Sequence, residues 1–117
     1  MIDKITQMHK KFGITHAEAE FTSEERLFRI GAMLEELSEF TTSKTKEDEL
    51  DALVDLVVFA LGTAERMGYS QVFTTAFDRV MTSNMSKTLG ANNKRGSFEI
   101  DLVKGPDFKS ATLTDLV

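Results

Sequence analysis

Residues 51–65 have the sequence DALVDLVVFALGTAE, which contains no proline and is apolar at most positions. On a helical wheel of about 100° per residue, the apolar side chains cover nearly the whole circumference. A narrow stripe with spacings of i, i+4, i+7, i+11 and i+14 departs from this pattern and consists of Asp51, Asp55, Val58, Gly62 and Glu65. A helix that is apolar nearly all round is typical of a buried position. The sequence therefore predicts a central helix with one narrow polar stripe, beside which Gly62 leaves free space.

Asp55 is the most informative residue of this stripe. It is flanked by Val54 and Phe59 on the predicted central helix. An unpaired carboxylate in such surroundings costs several kcal/mol, so Asp55 is expected to be protonated, paired with a cation or bound to a metal. The alternative to a metal is an ion pair with Arg29 or with a lysine.

The preceding helix begins with a capping box at Thr22–Glu25, in which the Thr22 hydroxyl accepts from the amide three residues on and the Glu25 carboxylate returns to the cap. This helix is predicted to extend to about Phe40. Its apolar stripe consists of Leu27, Ile30, Leu34, Leu37 and Phe40.

Four carboxylates are predicted to converge between these two helices. Glu36 lies at the edge of the apolar stripe, and Glu39 follows one turn later on the same side. Because the connection at residues 41–46 is short, antiparallel packing brings Glu36 and Glu39 toward Asp51 and Asp55. A site made of carboxylates, with neither cysteine nor histidine nearby, suits Mg²⁺ or Mn²⁺ better than Zn²⁺. Such a site suits phosphate substrates.

The rest of the chain is predicted to form two more helices and a short arm. Apolar spacing predicts a first helix that ends at Gly13, and Ser70 is a plausible N-cap for a fourth helix that ends before Gly90. The central helix is predicted to begin near residues 45–47 and to end at Gly68. Beyond residue 90 the helical pattern stops, and Phe98–Val103 alternates like a strand. We therefore predict an all-α helical domain over residues 1–90 and a β-like arm over residues 91–117.

Composition excludes several classes of protein. With 117 residues the chain has room for one modest core, and its net charge of −5 argues against a nucleic-acid-binding surface. The absence of cysteine excludes a disulfide framework, a thiolate metal site and a cysteine nucleophile. The chain also has no glycine-rich phosphate loop of the Walker type. Neither a membrane-spanning run nor a leader-like segment is visible, so a cytoplasmic protein without membrane partners is expected.

Three segments carry a resemblance to a known family: EELSE at 35–39, DALVDLVVFALGTA at 51–64 and SNMSK at 83–87. In this order and spacing they resemble the all-α nucleoside triphosphate pyrophosphohydrolases, the superfamily of MazG, the dimeric dUTPases and phosphoribosyl-ATP pyrophosphohydrolase. The segments MHKKFG at 8–13 and VKGPDF at 103–108 are similar to those of the small phosphoribosyl-ATP-pyrophosphohydrolase-like proteins of bacteria and phages. The resemblance implies a four-helix-bundle-type MazG-like fold that hydrolyses a nucleoside triphosphate, with a deoxynucleotide favoured, to monophosphate and pyrophosphate with Mg²⁺.

The family pattern is E-x-x-E followed by E-x-x-D on the next helix, and all four acids ligate Mg²⁺. Glu36, Glu39 and Asp55 match this pattern. The chain departs from it at Ala52, where the family has Glu, and carries an acid at Asp51 instead. The resemblance, together with the shared helix face, extends the metal role to Asp51.

The resemblance also implies roles for residues near the metal. Glu36, Glu39 or Glu35 orients or deprotonates the attacking water, while Asn84 and Lys87 face the phosphates. Arg29 is a further candidate for phosphate charge, and Lys104 of the arm is hypothesised to help hold the nucleotide. The alternative for the arm is a packing strap for the oligomer. His9 and His16 are predicted to be packing or surface residues rather than ligands.

Two further expectations concern assembly and activity. Four helices of this apolarity expose more hydrophobic surface than one short chain can cover, and the family is oligomeric, so a homodimer or homotetramer is expected. The alternative function is a non-catalytic helical oligomer that serves as a nucleotide-binding or regulatory module. Ala52, in place of the usual acid, favours this alternative.

Overall fold

The computed structural model describes residues 1–14, 21–91, 93–96 and 98–117 of the chain. Within these ranges the chain is mostly helical and carries a small antiparallel sheet. The helices are α1 (Ile2–Lys11), α2 (Ser23–Thr42), α3 (Lys46–Arg66) and α4 (Phe73–Met85), and the strands are β1 (Thr88–Gly90) and β2 (Asp101–Val103). The chain divides into two compact units, Met1–Gln71 and Val72–Val117.

Local capping explains where the helices of the first unit begin and end. The Thr22 hydroxyl accepts from the Glu25 amide at 3.1 Å, which confirms the predicted cap of α2. Thr45 caps α3 in the same way. Gly13 follows the end of α1 with a φ of 70°, a left-handed conformation that glycine adopts without strain. The helix positions predicted from apolar spacing therefore agree with the structure in this unit.

The orientation of α3 differs from the prediction of a helix buried all round. Its apolar residues Leu50, Leu53, Val54 and Val57 are exposed, Leu50 at 64%. By contrast, Gly62 and Glu65 of the polar stripe are buried. Close helix packing on this side accounts for the difference. Ala52 lies near the stripe and is only 2% exposed, because a small side chain lets α3 approach its neighbours closely. Helix α3 packs against both α2 and α1.

In the second unit, the C-terminal tail is bonded to α4. Arg79 pairs with both carboxylate oxygens of Asp115, at 2.7 and 3.1 Å, and also donates to the Thr112 carbonyl. The Lys109 amide donates to the Ser86 hydroxyl at 2.9 Å. The boundary predicted between residues 90 and 91 lies inside this unit.

One local prediction for this region was wrong, and a second is confirmed only in part. Helix α4 begins at Phe73 after Val72, without a side-chain cap, so Ser70 is not its N-cap. Only the last three residues of the predicted strand Phe98–Val103 are extended, because the chain turns before them and the Asp101 amide donates to the Phe98 carbonyl. Their partner β1 lies within the range predicted to be helical.

In the described part of the chain, no helix is both long enough and apolar enough to cross a membrane.

Candidate metal centre

The tight connection between α2 and α3 positions the candidate carboxylates. Helix α2 ends at Thr42, and the Ser43 hydroxyl donates to the Phe40 carbonyl at 2.7 Å. Thr45 then caps α3, so only three residues separate the two helices. The last turns of α2 therefore lie beside the first turns of α3.

Glu36 is the buried member of this group of carboxylates. Glu36 is 8% exposed, and its Oε2 atom has no hydrogen-bond partner among the described residues. Burial raises the pKa of Glu36 to about 7, together with a hydrogen bond from its side chain to Glu39 and the negative charges of Glu39, Asp55 and Glu35. The structure thus brings Glu36, Glu39 and Asp55 into electrostatic contact, while Glu35 and Glu39 are themselves exposed.

Glu39 also belongs to a second group. Together with Asp51 it lines a shallow cleft of about 300 Å³ at the α2–α3 connection. Two other residues of this cleft, Asp48 and Lys44, were not predicted from the sequence. The available signal for Asp48 was its position one turn before Asp51, on the same side of α3. Lys44 brings a cation into a cleft that otherwise carries three acids.

The donor set fits a hard divalent cation chemically. Among the described residues, no three acidic or histidine side chains are already arranged as a metal cage. However, a buried carboxylate oxygen without a partner, next to two other carboxylates, is an arrangement that a cation stabilises. All of the donors are oxygens, which Mg²⁺ and Mn²⁺ prefer.

Arg29 does not pair with Asp55 in this structure. Within the described ranges no ion pair joins these two residues, and the Arg29 Nε lies 3.9 Å from a Glu25 carboxylate oxygen instead. The pKa of Arg29 is lowered, first by burial. The expected free space beside Gly62 is also absent, because a Cβ at this position would lie 2.9 Å from Arg29 Nη1 and 3.1 Å from His9 Nε2. The guanidinium and the imidazole ring fill that space.

A buried ionic network, which the sequence did not predict, fastens the three helices of the first unit together. Glu25 accepts from Arg66 Nε and Nη2, both at 2.6 Å, so its carboxylate does not complete the predicted capping box. Glu65 accepts from the Thr6 hydroxyl at 2.8 Å, which ties α1 to α3. His9 is 3% exposed, and burial followed by the charge of Arg29 lowers its pKa. His16 lies outside the described residues.

Apart from Arg29, the candidate phosphate-binding residues lie in the second unit. Lys87 and Lys104 line one cleft of about 500 Å³ together with Lys94 and Arg95. Asn84 is half-buried at the end of α4, where its backbone carbonyl accepts a hydrogen bond from the Lys87 backbone amide at 3.0 Å.

Comparison of the chain with protein-family models, with curated proteins and with solved structures finds no match.

Proposed function

We propose that this chain is a Mg²⁺-dependent nucleoside triphosphate pyrophosphohydrolase of the four-helix-bundle-type, MazG-like fold. Its products are a (deoxy)nucleoside monophosphate and pyrophosphate. The observation that carries the proposal is the buried Glu36 oxygen without a partner, which lies among other carboxylates and has its pKa raised to about 7. The resemblance of the motifs at 35–39, 51–64 and 83–87 supplies the reaction.

A structural role alone does not explain this group of acids. A salt-bridge network supplies each acid with a cation, as Arg66 does for Glu25 in the same unit. In the part of the chain that the structure describes, the Glu36 Oε2 atom has no such partner. Like charges at close range raise the free energy of the folded chain, so their clustering is expected where a divalent cation is the missing partner.

Under this proposal, Glu36, Glu39 and Asp55 would hold Mg²⁺, together with Asp51, which lines the same cleft as Glu39. The ion would supply positive charge to phosphate oxygens and would lower the pKa of a water molecule.

The chain's own residues perform the proton transfer and stabilise the leaving group. A carboxylate of α2, with Glu35 as the exposed candidate, accepts a proton from water while the water oxygen bonds to phosphorus. The anhydride bond between the α and β phosphates breaks, and pyrophosphate leaves with the bonding electron pair. Lys44, in the cleft of Glu39 and Asp51, offers a positive charge to that leaving group.

One observation favours the alternative of a non-catalytic nucleotide-binding or regulatory module. Ala52 occupies the position of the usual family acid and is only 2% exposed, in close packing. A glutamate does not fit there, so this chain lacks that ligand and depends on Asp51 instead.

Pyrophosphate release from a panel of nucleoside and deoxynucleoside triphosphates, with and without Mg²⁺, separates the two functions. The proposal predicts Mg²⁺-dependent release that Asp55→Asn abolishes and that Glu49→Gln, a change at an exposed acid of the same helix, leaves intact. Circular dichroism of both variants serves as the folding control. Nucleotide binding without release from any member of the panel would establish the alternative.

A further inference from the structure

Helix α1 packs on α3 through a face that includes a histidine. The buried residues of α1 are Ile2, Ile5 and His9, which share one side of the helix. His9 is the most deeply buried of the three, at 3% exposed. The Thr6 hydroxyl adds a hydrogen bond to Glu65 of α3 at 2.8 Å. The most buried position of α1 is therefore occupied by an ionisable ring.

The surroundings of the His9 ring favour its neutral form. A Cβ at position 62 would lie 3.1 Å from His9 Nε2, so Gly62 leaves room for the ring beside α3. The Nδ1 atom is buried and has no hydrogen-bond partner among the described residues. A neutral imidazole carries a proton on one nitrogen only, whereas an imidazolium has two N–H donors. Protonation would therefore leave Nδ1 as a buried donor without an acceptor, which is destabilising.

The charged side chains that act on His9 come from both neighbouring helices: Glu25 and Arg29 of α2, and Glu65 and Arg66 of α3. These two acids and two bases balance while His9 is neutral, and an imidazolium adds an uncompensated positive charge. Both acids are already engaged, because Glu25 accepts from Arg66 and Glu65 accepts from Thr6. Burial, followed by the charge of Arg29, accordingly lowers the pKa of His9, although the charge of Glu65 opposes this shift.

We infer that His9 is a proton-operated latch, which holds α1 on α3 while its ring is neutral and releases α1 in mild acid. Helix α1 is the element that gives way, because the ion pair between Glu25 and Arg66 joins α2 to α3 without it. Release returns the His9 ring to water, where an imidazolium is hydrated at no cost to packing. The latch does not involve the candidate metal ligands, so it stands or falls independently of the proposed function.

The direction of the pH effect follows from proton linkage. Because the docked ring has the lower pKa, the released state binds the proton more strongly, and docking weakens as the pH falls below about 6.5. For one proton, the docking equilibrium changes by at most about tenfold between about pH 7.5 and about pH 5.5. Glu36, with a pKa of about 7, binds its proton over an overlapping range and contributes stability in acid. The measurement must therefore be local to α1.

Hydrogen–deuterium exchange of the full chain in EDTA, corrected for the intrinsic pH dependence of exchange, measures the protection of the α1 amides. We expect this protection to fall about fivefold to tenfold from about pH 7.5 to about pH 5.5, while α2 and α3 do not lose theirs. His9→Gln, which cannot gain a proton, should abolish the fall. Thr6→Val is the matched control, because it removes the hydroxyl bond to Glu65 without removing a titrating group. It should lower α1 protection at both pH values and retain the pH dependence.

Three outcomes would overturn the inference: unchanged α1 protection in acid, an equal fall in His9→Gln, and a fall that α2 and α3 share. If His9→Gln already lacks α1 protection at neutral pH, proton NMR of the unchanged chain decides. The His9 ring signal should then titrate with a midpoint below about 6.5, together with the α1 amides. A midpoint at or above the ordinary histidine value would also overturn the latch.

Discussion

Lowering the pH from about 8 to about 6 should weaken Mg²⁺ binding by the chain about tenfold, because metal and proton compete for the same carboxylate. With the pKa of Glu36 at about 7, roughly one molecule in eleven carries the proton at pH 8 and roughly ten in eleven carry it at pH 6. The apparent affinity falls by the ratio of the unprotonated fractions, which is about tenfold. An acid with an ordinary glutamate pKa of about 4.3 would lose only about 2% of its carboxylate form over the same interval.

The same shift has a consequence for the metal-free protein. Since the folded chain raises the pKa of Glu36, it binds that proton more strongly than the unfolded chain does. The metal-free protein should therefore gain stability as the pH falls from above the folded pKa toward the ordinary glutamate value. The increase in Tm on addition of Mg²⁺ should be largest at the alkaline end of this range.

Isothermal titration with MgCl₂ at three pH values, supported by thermal melts, measures both effects. Glu36→Gln should abolish the pH dependence over this interval, while Glu49→Gln, on the exposed start of α3, should retain it. Equal Mg²⁺ affinity at the two ends of the pH range would refute the competition argument. Melts that ignore millimolar Mg²⁺ and Mn²⁺, even with nucleotide present, would refute the metal site itself.

Three further predictions concern stability, the leaving group and assembly. Glu25→Gln should lower the free energy of unfolding by about 2 kcal/mol, because it deprives the buried Arg66 of its charged acceptor. Glu24→Gln should change the free energy of unfolding little, and equal denaturation midpoints for the two variants would contradict this prediction. Lys44→Gln should lower kcat for pyrophosphate release about tenfold or more while Lys46→Gln does not, and indistinguishable kinetics would remove Lys44 from the site. Light scattering should give a dimer or tetramer mass at micromolar concentration, and the 13.1 kDa monomer mass would contradict the expected assembly.

The features that the sequence predicted correctly are those determined by neighbouring residues. Thr22 caps α2 because its hydroxyl reaches an amide three residues away, and this geometry depends on no distant contact. Gly13 marks the end of α1 for a similarly local reason. Apolar spacing located four helices for the same reason, since the period of a helix is a property of the segment alone.

The features that the sequence did not predict depend on partners far away in the chain. Glu25 satisfied the capping-box pattern, but Arg66, forty-one residues later, offers a charged bidentate contact that is stronger than a bond to a backbone amide. The filling of the space beside Gly62 could not be predicted either, because the side chains that occupy it, Arg29 and His9, come from two other helices. The placement of Lys44 in the cleft of Glu39 follows from the antiparallel connection and not from any motif.

The largest difference concerns which side of α3 faces inward, and it has a consequence for how the chain works. Hydropathy predicted that apolar residues surround the polar stripe, yet Gly62 and Glu65 of the stripe are buried while Leu50 and Val54 are exposed. The negative charge of Asp55 on α3 helps to raise the pKa of Glu36 on α2, so these two carboxylates interact electrostatically within one chain. Among the described residues, Leu50, Leu53, Val54 and Val57 of α3 are exposed, and this is the surface on which we expect an oligomer to form. Leu50 is exposed, so we expect Leu50→Glu to lower the assembly mass measured by light scattering before it changes the Mg²⁺ affinity measured by titration.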